Sequence, residues 1–294
     1  MKRLLLVAAL LSTSALAQQT DYSKVEIKAT HVAGSVWMLQ GAGGNIAVSV
    51  GDDGIVMVDD QFAPLLPKIK AALAKISQQP VRFVINTHWH SDHIGGNAGL
   101  AGMAAILSHE NARKRMQSGG KVLEFVMDPV EPRGLPMLTF QQGVSLWLNG
   151  EPVRAIHLQP GHTDGDTVVV FTKSNVVHMG DDFVTYGFPL FDVGIGGSIR
   201  GMIGAIDELL PQIPADAKII PGHGPLSTVA DLKKFRGRLD EIVALVSRGL
   251  KSGKTVEQMQ KEKLLAPYED WNGGVIKADQ YIAMVARELQ ERKK

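Results

Sequence analysis

The stretch over residues 81–96, VRFVINTHWHSDHIGG, constrains this chain more than any other. Its first five residues, VRFVI, have the length and the β-branched, apolar character of a buried strand. Directly after that strand, four potential metal ligands fall within six residues: His88, His90, Asp92 and His93. The sequence therefore predicts a metal-binding loop at the end of a buried strand.

The spacing of these four residues favours two neighbouring metal ions. In an extended segment His88 and His90, two positions apart, project to the same side and can share one ion. Asp92 and His93 point elsewhere and can hold a second ion, roughly 3.5–4 Å from the first as in two-metal hydrolytic sites. The alternative is a histidine-rich surface turn without metal. The density of ligands, and the two glycines that follow them, favour the metal site.

The pattern H-x-H-x-D-H at the end of a strand resembles the signature of the metallo-β-lactamase fold superfamily. In that superfamily the remaining ligands usually arrive as a later His, an Asp after Gly, and a His in a Gly-His segment. The chain supplies all three, with His162 in PGHTDGD, Asp181 in HMGDD and His223 in IIPGHGP. The order and the context match over about residues 25–230, so the resemblance is specific.

This resemblance implies a division of the ligands between two ions. The first ion would be held by His88, His90 and His162, the second by Asp92, His93 and His223, and Asp181 would bridge both. Imidazole and carboxylate ligands suit two zinc ions per chain, and iron or manganese are also possible. Two such ions lower the pKa of water to about 7, so hydroxide forms at neutral pH. Asp92 is then the expected catalytic residue, which orients the hydroxide and carries its proton to the leaving group.

The residue at position 181 distinguishes activities within the superfamily. The best-known two-zinc β-lactamases carry Cys at the bridging position, whereas glyoxalase II-like thioesterases, lactonases, phosphodiesterases and persulfide dioxygenases carry Asp. The expected function is therefore zinc-dependent hydrolysis of an ester, thioester, lactone or lactam amide in a small molecule. Two enzymatic alternatives stay open: a β-lactamase proper, and a persulfide dioxygenase-like oxidoreductase with one iron, in which His223 is idle. The complete ligand set disfavours a third, a metal-binding protein without activity.

The strand and helix patterns predict an α/β fold. Apolar runs separated by glycine-rich turns indicate an antiparallel meander over residues 25–60, and residues 64–77 read as an amphipathic helix. The second half repeats this order of strands and ligand loops. Together with the resemblance, the pattern predicts a four-layer αβ/βα sandwich with the metals at the sheet ends. It covers residues 18–230, and a helical extension follows over residues 231–294.

Residues 1–17, MKRLLLVAALLSTSALA, have the features of a secretory signal peptide. A basic start precedes an apolar run that is too short to remain as a membrane anchor, and small residues mark a cleavage site after Ala17. The expected location is therefore periplasmic or secreted, with no stable membrane span.

The composition limits the types of metal ligand and the classes of binding partner that the chain can have. The chain has no cysteine, so disulfides and thiolate zinc ligands are excluded. Its 31 basic and 30 acidic residues nearly cancel. A nucleic-acid partner is not expected, because such proteins carry a basic surface that neutralises phosphates.

Two further sets of residues are candidates around the ligands. Asp59 or Asp60, at the end of a predicted strand, is expected to orient a metal-bound histidine, with helix capping as the alternative; His178 is a candidate for the same role. Four aromatic residues on the glycine-rich segment after Asp181 are predicted to line the substrate pocket, and burial against a neighbouring helix is the alternative. They are Phe183, Tyr186, Phe188 and Phe191.

Overall fold

The computed structural model describes residues 20–291, so the predicted signal peptide lies outside the described residues. The strands, in chain order, are β1 (Lys28–Ala33), β2 (Val36–Gln40), β3 (Ile46–Gly51), β4 (Gly54–Val58), β5 (Val81–Ile85), β6 (Ala105–His109), β7 (Gly120–Val122), β8 (Phe125–Met127), β9 (Leu138–Phe140), β10 (Gly143–Leu148), β11 (Glu151–Ile156), β12 (Val168–Phe171), β13 (Val176–His178), β14 (Lys218–Ile220) and β15 (Ser227–Thr228). The α-helices are α1 (Leu66–Ala74), α2 (Ser91–Ile94), α3 (Asn97–Leu100), α4 (Glu110–Ser118), α5 (Ile199–Leu209), α6 (Val229–Lys251), α7 (Val256–Lys261) and α8 (Ala278–Glu291).

The larger strands form two mixed sheets. The first has the order β1-β2-β3-β4-β5-β6-β9, and the second has the order β10-β11-β12-β13-β14-β15. β1 to β4 pair antiparallel, as the predicted meander requires, whereas β4, β5, β6 and β9 run parallel. In the second sheet the pairing of β13 with β14 is parallel. β7 and β8 form a separate antiparallel hairpin.

The sheets and helices make four layers, which confirms the predicted αβ/βα sandwich. An apolar core between the sheets joins residues such as Val58 and Ile85 to Val169 and Phe171. The outer face of the first sheet is covered by α1, whose apolar stripe includes Ile69. α5, α6 and α8 cover the outer face of the second sheet in one continuous core.

The C-terminal helices belong to this outer layer. Tyr281 and Leu289 of α8 share a core with Ile219 of β14. The domain boundary expected after residue 230 falls inside α6, and the division into domains stays a prediction. Among residues 20–291, no helix combines the length and apolar composition that a bilayer crossing requires.

Parallel pairing determines where the ligand loops lie. β4 and β5 run parallel, so the segments that follow them, beginning with Asp59 and Asn86, leave the sheet at the same edge. β13 and β14 also run parallel, and the segments after them carry Asp181 and His223. The fold thus brings together residues that are up to 164 positions apart, from Asp59 to His223.

Candidate metal centre

All seven predicted ligands converge at these strand ends. Their ligand atoms form three overlapping groups, within each of which the atoms lie no more than 4.8 Å apart. The groups are His88, His90 and His162; Asp92, His93 and His223; and His88, His93 and Asp181. The first two correspond to the two ligand sets implied by the resemblance, and the third places Asp181 against both.

The distances show how Asp181 spans the centre. Its Oδ1 lies 3.3 Å from Nε2 of His93, and its Oδ2 lies 3.6 Å from Nε2 of His223 and 3.7 Å from Nε2 of His162. Asp92 completes the second group, with Oδ2 3.2 Å from Nε2 of His223. One carboxylate therefore faces both ligand sets, as a bridging ligand must.

Hydrogen bonds at the outer nitrogens orient three of the rings toward the centre. Nδ1 of His93 lies 2.8 Å from Oδ2 of Asp59, and Nδ1 of His162 lies 2.7 Å from the carbonyl oxygen of Leu190. Nδ1 of His88 lies 2.9 Å from Oγ1 of Thr87, whose hydroxyl donates to Asp59. When each Nδ1 donates, the neutral ring presents its Nε2 lone pair inward, which is the arrangement of metal-binding histidines.

Asp59 is the acidic residue that orients a ligand imidazole. Its backbone adopts φ +64°, an uncommon conformation for a residue other than glycine, and its carboxylate accepts hydrogen bonds from both N and Oγ1 of Thr87. Sequence analysis missed Thr87, although its place directly before His88 was a usable signal. Asp59 and Thr87 thus link one candidate ligand from each of the two expected sets, His93 and His88, to a single carboxylate.

Asp60 and His178 contact no ligand imidazole through their side chains. Asp60 accepts a hydrogen bond from the amide of Gly96, and its own amide donates to the carbonyl of His93. His178 lies 2.9 Å from the carbonyl oxygen of Asn45 through Nε2, and its Nδ1 accepts from the amide of Gly180. The side chains of Asp60 and His178 therefore hydrogen-bond to backbone groups near the candidate ligands. This corrects the expectation that His178 supports a ligand side chain.

Burial and neighbouring charge separate the histidines into two types. Burial lowers the pKa of His88 well below its ordinary value, and burial together with His162 lowers the pKa of His90 to about 3. Burial acts in the same direction on His93, but Asp181 and Asp92 outweigh it and raise the pKa of His93 well above its ordinary value. His88 and His90 are therefore neutral imidazoles, whereas the carboxylates beside His93 favour a positive charge at that position.

The two carboxylates are held in their charged form. Burial raises the pKa of Asp181, yet His223 and His93 lower it well below the ordinary range. Burial likewise raises the pKa of Asp92, and His93 and His223 together lower it to about 2. Both side chains are therefore available as anionic ligands at neutral pH.

Unpaired buried atoms test whether a metal fits here. Nε2 of His88, Nε2 of His90 and Oδ1 of Asp181 are buried without a hydrogen-bond partner. An unsatisfied buried polar atom costs about 1–3 kcal/mol, so a group of them in one place calls for a partner. Divalent cations bound by imidazole and carboxylate would supply it, and zinc suits such a donor set. The residues present fit the metals implied by the resemblance.

A glycine-rich turn closes one side of the centre. The amide of Gly44 donates to the carbonyl of Asp92 at 2.9 Å. A Cβ atom on Gly44 would lie 2.1 Å from Cε1 of His93, so the close approach of this turn requires glycine. The turn over residues 41–44 therefore lies against two of the proposed ligands, Asp92 and His93.

The aromatic segment after Asp181 divides between the cavity and the core. Tyr186 is 39% exposed, lines the cavity beside the ligands and places its ring edge-on to His223 at 5.4 Å. Phe183, Phe188 and Phe191 are buried in the core formed with α6 and α8. The expectation that they line the pocket is corrected, because these helices cover the segment from the other side.

A cavity of about 690 Å³ opens onto the centre. Five ligands line it: His90, Asp92, His162, Asp181 and His223. The β7–β8 hairpin forms one wall of this cavity. The cavity has the size of a small-molecule site.

Known proteins resemble this chain in sequence and in fold. The sequence profile described as the metallo-beta-lactamase superfamily matches residues 30–244. The hydroxyacylglutathione hydrolase of Synechococcus sp. is 25% identical over 238 residues, which cover 76% of this chain and 81% of that protein. A solved metallo-beta-lactamase from Pontibacter korlensis superposes with a TM-score of 0.60 at 18% identity, over 73% of this chain and 99% of that one.

Other relatives share a smaller part of their length. The lactamase-like protein nscB of Trichophyton equinum is 27% identical over 163 residues, or 55% of this chain. The match covers 40% of that relative and 40% of its counterpart in Trichophyton tonsurans. The chain therefore spans about two fifths of the length of these relatives.

Proposed function

The chain belongs to the metallo-beta-lactamase superfamily, and from this membership and its ligand geometry we propose that it is a hydrolase with two zinc ions per chain. Its substrate is a small molecule with an ester, thioester, lactone or lactam amide bond. The observation that carries the proposal is the convergence of five histidines and two aspartates in three overlapping groups, of which the one with Asp181 shares a histidine with each of the other two.

The three groups of residues support a place for each proposed ion. His88, His90 and His162 would hold the first, Asp92, His93 and His223 the second, and Asp181 would contact both. When bound, two divalent cations supply Lewis acidity, which polarises a carbonyl and lowers the pKa of water from 15.7 to about 7. Asp59 orients His93 through a direct hydrogen bond, and it orients His88 through Thr87.

Asp92 is the residue we assign to proton transfer. It lines the cavity, and its side chain retains 27% exposure, whereas the side chain of Asp181 retains 8%. His93 and His223 keep its carboxylate ionised, so it can accept a hydrogen bond from an attacking water. The carboxylate would then take up a proton from that water and pass it to the leaving group, which is the role of a general acid–base residue.

We also propose that the protein acts after export. The support is the N-terminal segment over residues 1–17, with its basic start, apolar run and small residues before Gln18. Sequencing of the mature N-terminus from a periplasmic fraction tests this part, and a mature chain that begins at Met1 would contradict it.

The test of the hydrolase proposal combines metal analysis with a substrate panel. We expect two zinc ions per chain and turnover of at least one of nitrocefin, a thioester and a lactone. His162→Ala is expected to lose at least one ion. His31→Ala is expected to keep both, because His31 is exposed and its ring contacts Gly34 and Trp37 rather than the proposed ligands. One iron per chain without hydrolysis would instead support an oxygen-dependent, persulfide dioxygenase-like reaction.

A further inference from the structure

The charge of the cavity wall bears on which substrate the proposed hydrolase takes. Among the described residues that line the cavity, the charged side chains are aspartates and histidines of the metal centre, and none is lysine or arginine. A substrate carboxylate would therefore meet no lysine or arginine side chain there.

The lysines adjacent in sequence to the cavity wall are already paired. Lys121 of the β7–β8 hairpin lies 3.1 Å from Glu124. Lys277, directly after the lining residue Ile276, donates from Nζ to the carbonyls of Asn272 and Gly274, each at 2.9 Å. Neither lysine is free to bind an anionic group of a substrate without losing these contacts.

The wall instead presents apolar side chains to solvent. At the hairpin, Phe125 is 61% exposed and Val126 is 75% exposed, and Val275 on the C-terminal segment is 67% exposed. All three line the same cavity as the metal ligands. Clustered apolar side chains that remain exposed at a cavity mark a binding surface.

The hairpin is anchored, so its apolar tip has a defined place. Val122 is 6% exposed and packs in one cluster with Trp89, Ile94 and Met116, beside the H-x-H-x-D-H loop. Phe125, which pairs with Val122 across the hairpin, stays outside this cluster. Buried Val122 therefore anchors the hairpin to the protein, whereas exposed Phe125 is available to bind a ligand.

From these observations we propose that the substrate is a neutral ester or thioester with a hydrocarbon acyl chain, and that Phe125, Val126 and Val275 bind that chain. The inference rests on the proposed hydrolase function and narrows its substrate class. It disfavours substrates that depend on a carboxylate for binding, such as glutathione thioesters and β-lactam antibiotics.

A chain-length series tests the apolar contact. For the zinc-loaded protein we expect kcat/KM to rise from p-nitrophenyl acetate through butyrate and hexanoate to octanoate. The rise should be about fourfold for each methylene that the wall covers, which corresponds to about 0.8 kcal/mol per buried CH₂. A flat or falling series would overturn the proposal.

A pair of thioesters tests the charge. Hexanoyl-N-acetylcysteamine is neutral, whereas hexanoylglutathione carries carboxylates on its thiol half. We expect kcat/KM to be at least tenfold higher for the neutral compound, because no lysine or arginine lines the cavity among the described residues. A preference for the glutathione thioester would contradict the inference while leaving the hydrolase proposal intact.

Matched variants locate the contact. Phe125→Ser is expected to lower the octanoate-to-acetate ratio of kcat/KM at least fivefold. Trp147→Ser is the control, because Trp147 is 78% exposed, lies on β10 and does not line the cavity. Equal effects of the two substitutions, or no effect of either, would refute the proposal that the hairpin binds the acyl chain.

Binding without turnover separates the two proposals. The ketone 2-octanone has the shape of a short ester and cannot be hydrolysed, so its binding to the zinc-loaded protein can be followed by calorimetry. We expect saturable binding that Phe125→Ser weakens and Trp147→Ser does not. If no substrate is hydrolysed but the ketone binds in this way, the hydrolase proposal fails and the apolar site stands. Absence of binding counts against the apolar site.

Discussion

At the scale of single residues, Asp59 shows how a side chain outside the ligand set organises the metal centre. Its carboxylate accepts hydrogen bonds from Thr87 and faces Nδ1 of His93, and Thr87 in turn bonds to His88. One anion thus orients a ligand from each proposed ion's set. Sequence analysis placed Asp59 among the candidates from its position at a strand end.

Asp59→Asn is expected to reduce zinc affinity 10- to 100-fold, the usual cost of losing a hydrogen-bond partner of a metal ligand. Asp60→Asn is the control, since burial raises the pKa of Asp60 well above its ordinary value and the amide is isosteric with the neutral acid. We expect the control to change affinity less than about threefold, because Gly96 keeps its acceptor. Competition titration with a chelator measures both, and equal losses would contradict the role of Asp59.

Substitution of two neighbouring aromatic residues by alanine should have different effects on stability and on KM. Phe188 is fully buried against Tyr281 and Trp271, so Phe188→Ala should destabilise the protein by about 3–5 kcal/mol, as for other core phenylalanines. Tyr186 lines the cavity, so Tyr186→Ala should raise KM while zinc content stays unchanged. Urea unfolding and steady-state kinetics separate the effects. A KM effect without destabilisation for Phe188→Ala would restore this residue to the pocket.

At the scale of elements, the junction of β6 with α4 combines a helix cap with a pair of stacked histidines. His109 ends β6, and its Nδ1 accepts a hydrogen bond from the amide of Asn111 at the start of α4. Its ring stacks on His157, which follows β11, with the centroids 3.8 Å apart. The pair therefore joins the first sheet to the second.

This junction predicts a pH dependence of stability. Burial and the neighbouring His157 lower the pKa of His109 from 6.5 to about 4. Between these values the unfolded chain binds a proton that the folded chain does not, so His109 makes stability fall as the pH drops from 6.5 to 4. His109→Asn keeps a capping side chain and should make this fall shallower.

Urea midpoints at several values of pH, with the same chelator concentration for both proteins, measure the effect. The comparison with wild type removes the contributions of the other buried histidines. An unchanged slope in the variant would show that His109 does not contribute to the acid sensitivity.

The elements also show where local patterns are insufficient. The meander and the signature strand follow from residue types next to one another, and the structure confirms them. β9, a strand of three residues, has no counterpart among the strands predicted from the sequence. It becomes a strand because it pairs with β6, and that partner is distant in sequence.

At the scale of the whole molecule, the C-terminal helices are joined to the layer beside the metal centre. Glu288 of α8 is buried and accepts hydrogen bonds from Oγ of Ser198 and from the amide of Ile199, where α5 begins. Tyr281 of α8 lies against Phe188 and Phe191, on the segment that follows Asp181. The last helix thus supports the segment that carries Tyr186.

A chain that ends at residue 253 is expected to lose this support. Removal of α7 and α8 would expose Phe188 and Phe191, which are buried in the full chain. We expect aggregation or strong binding of a hydrophobic dye, and loss of stoichiometric zinc binding. A chain that ends at residue 291 is the control. A soluble, zinc-binding chain of 253 residues would show that the first layers fold without the helices.

The sequence by itself determined the superfamily, the seven candidate ligand residues and the strands that carry them, because ligand chemistry and strand character are encoded in neighbouring residues. Tertiary structure decided which aromatic residues face the cavity and which acidic residue orients a ligand. Those outcomes depend on packing between segments far apart in the chain. Phe188 is buried because α8 packs against it, and Asp59 reaches His93 because β4 and β5 run parallel.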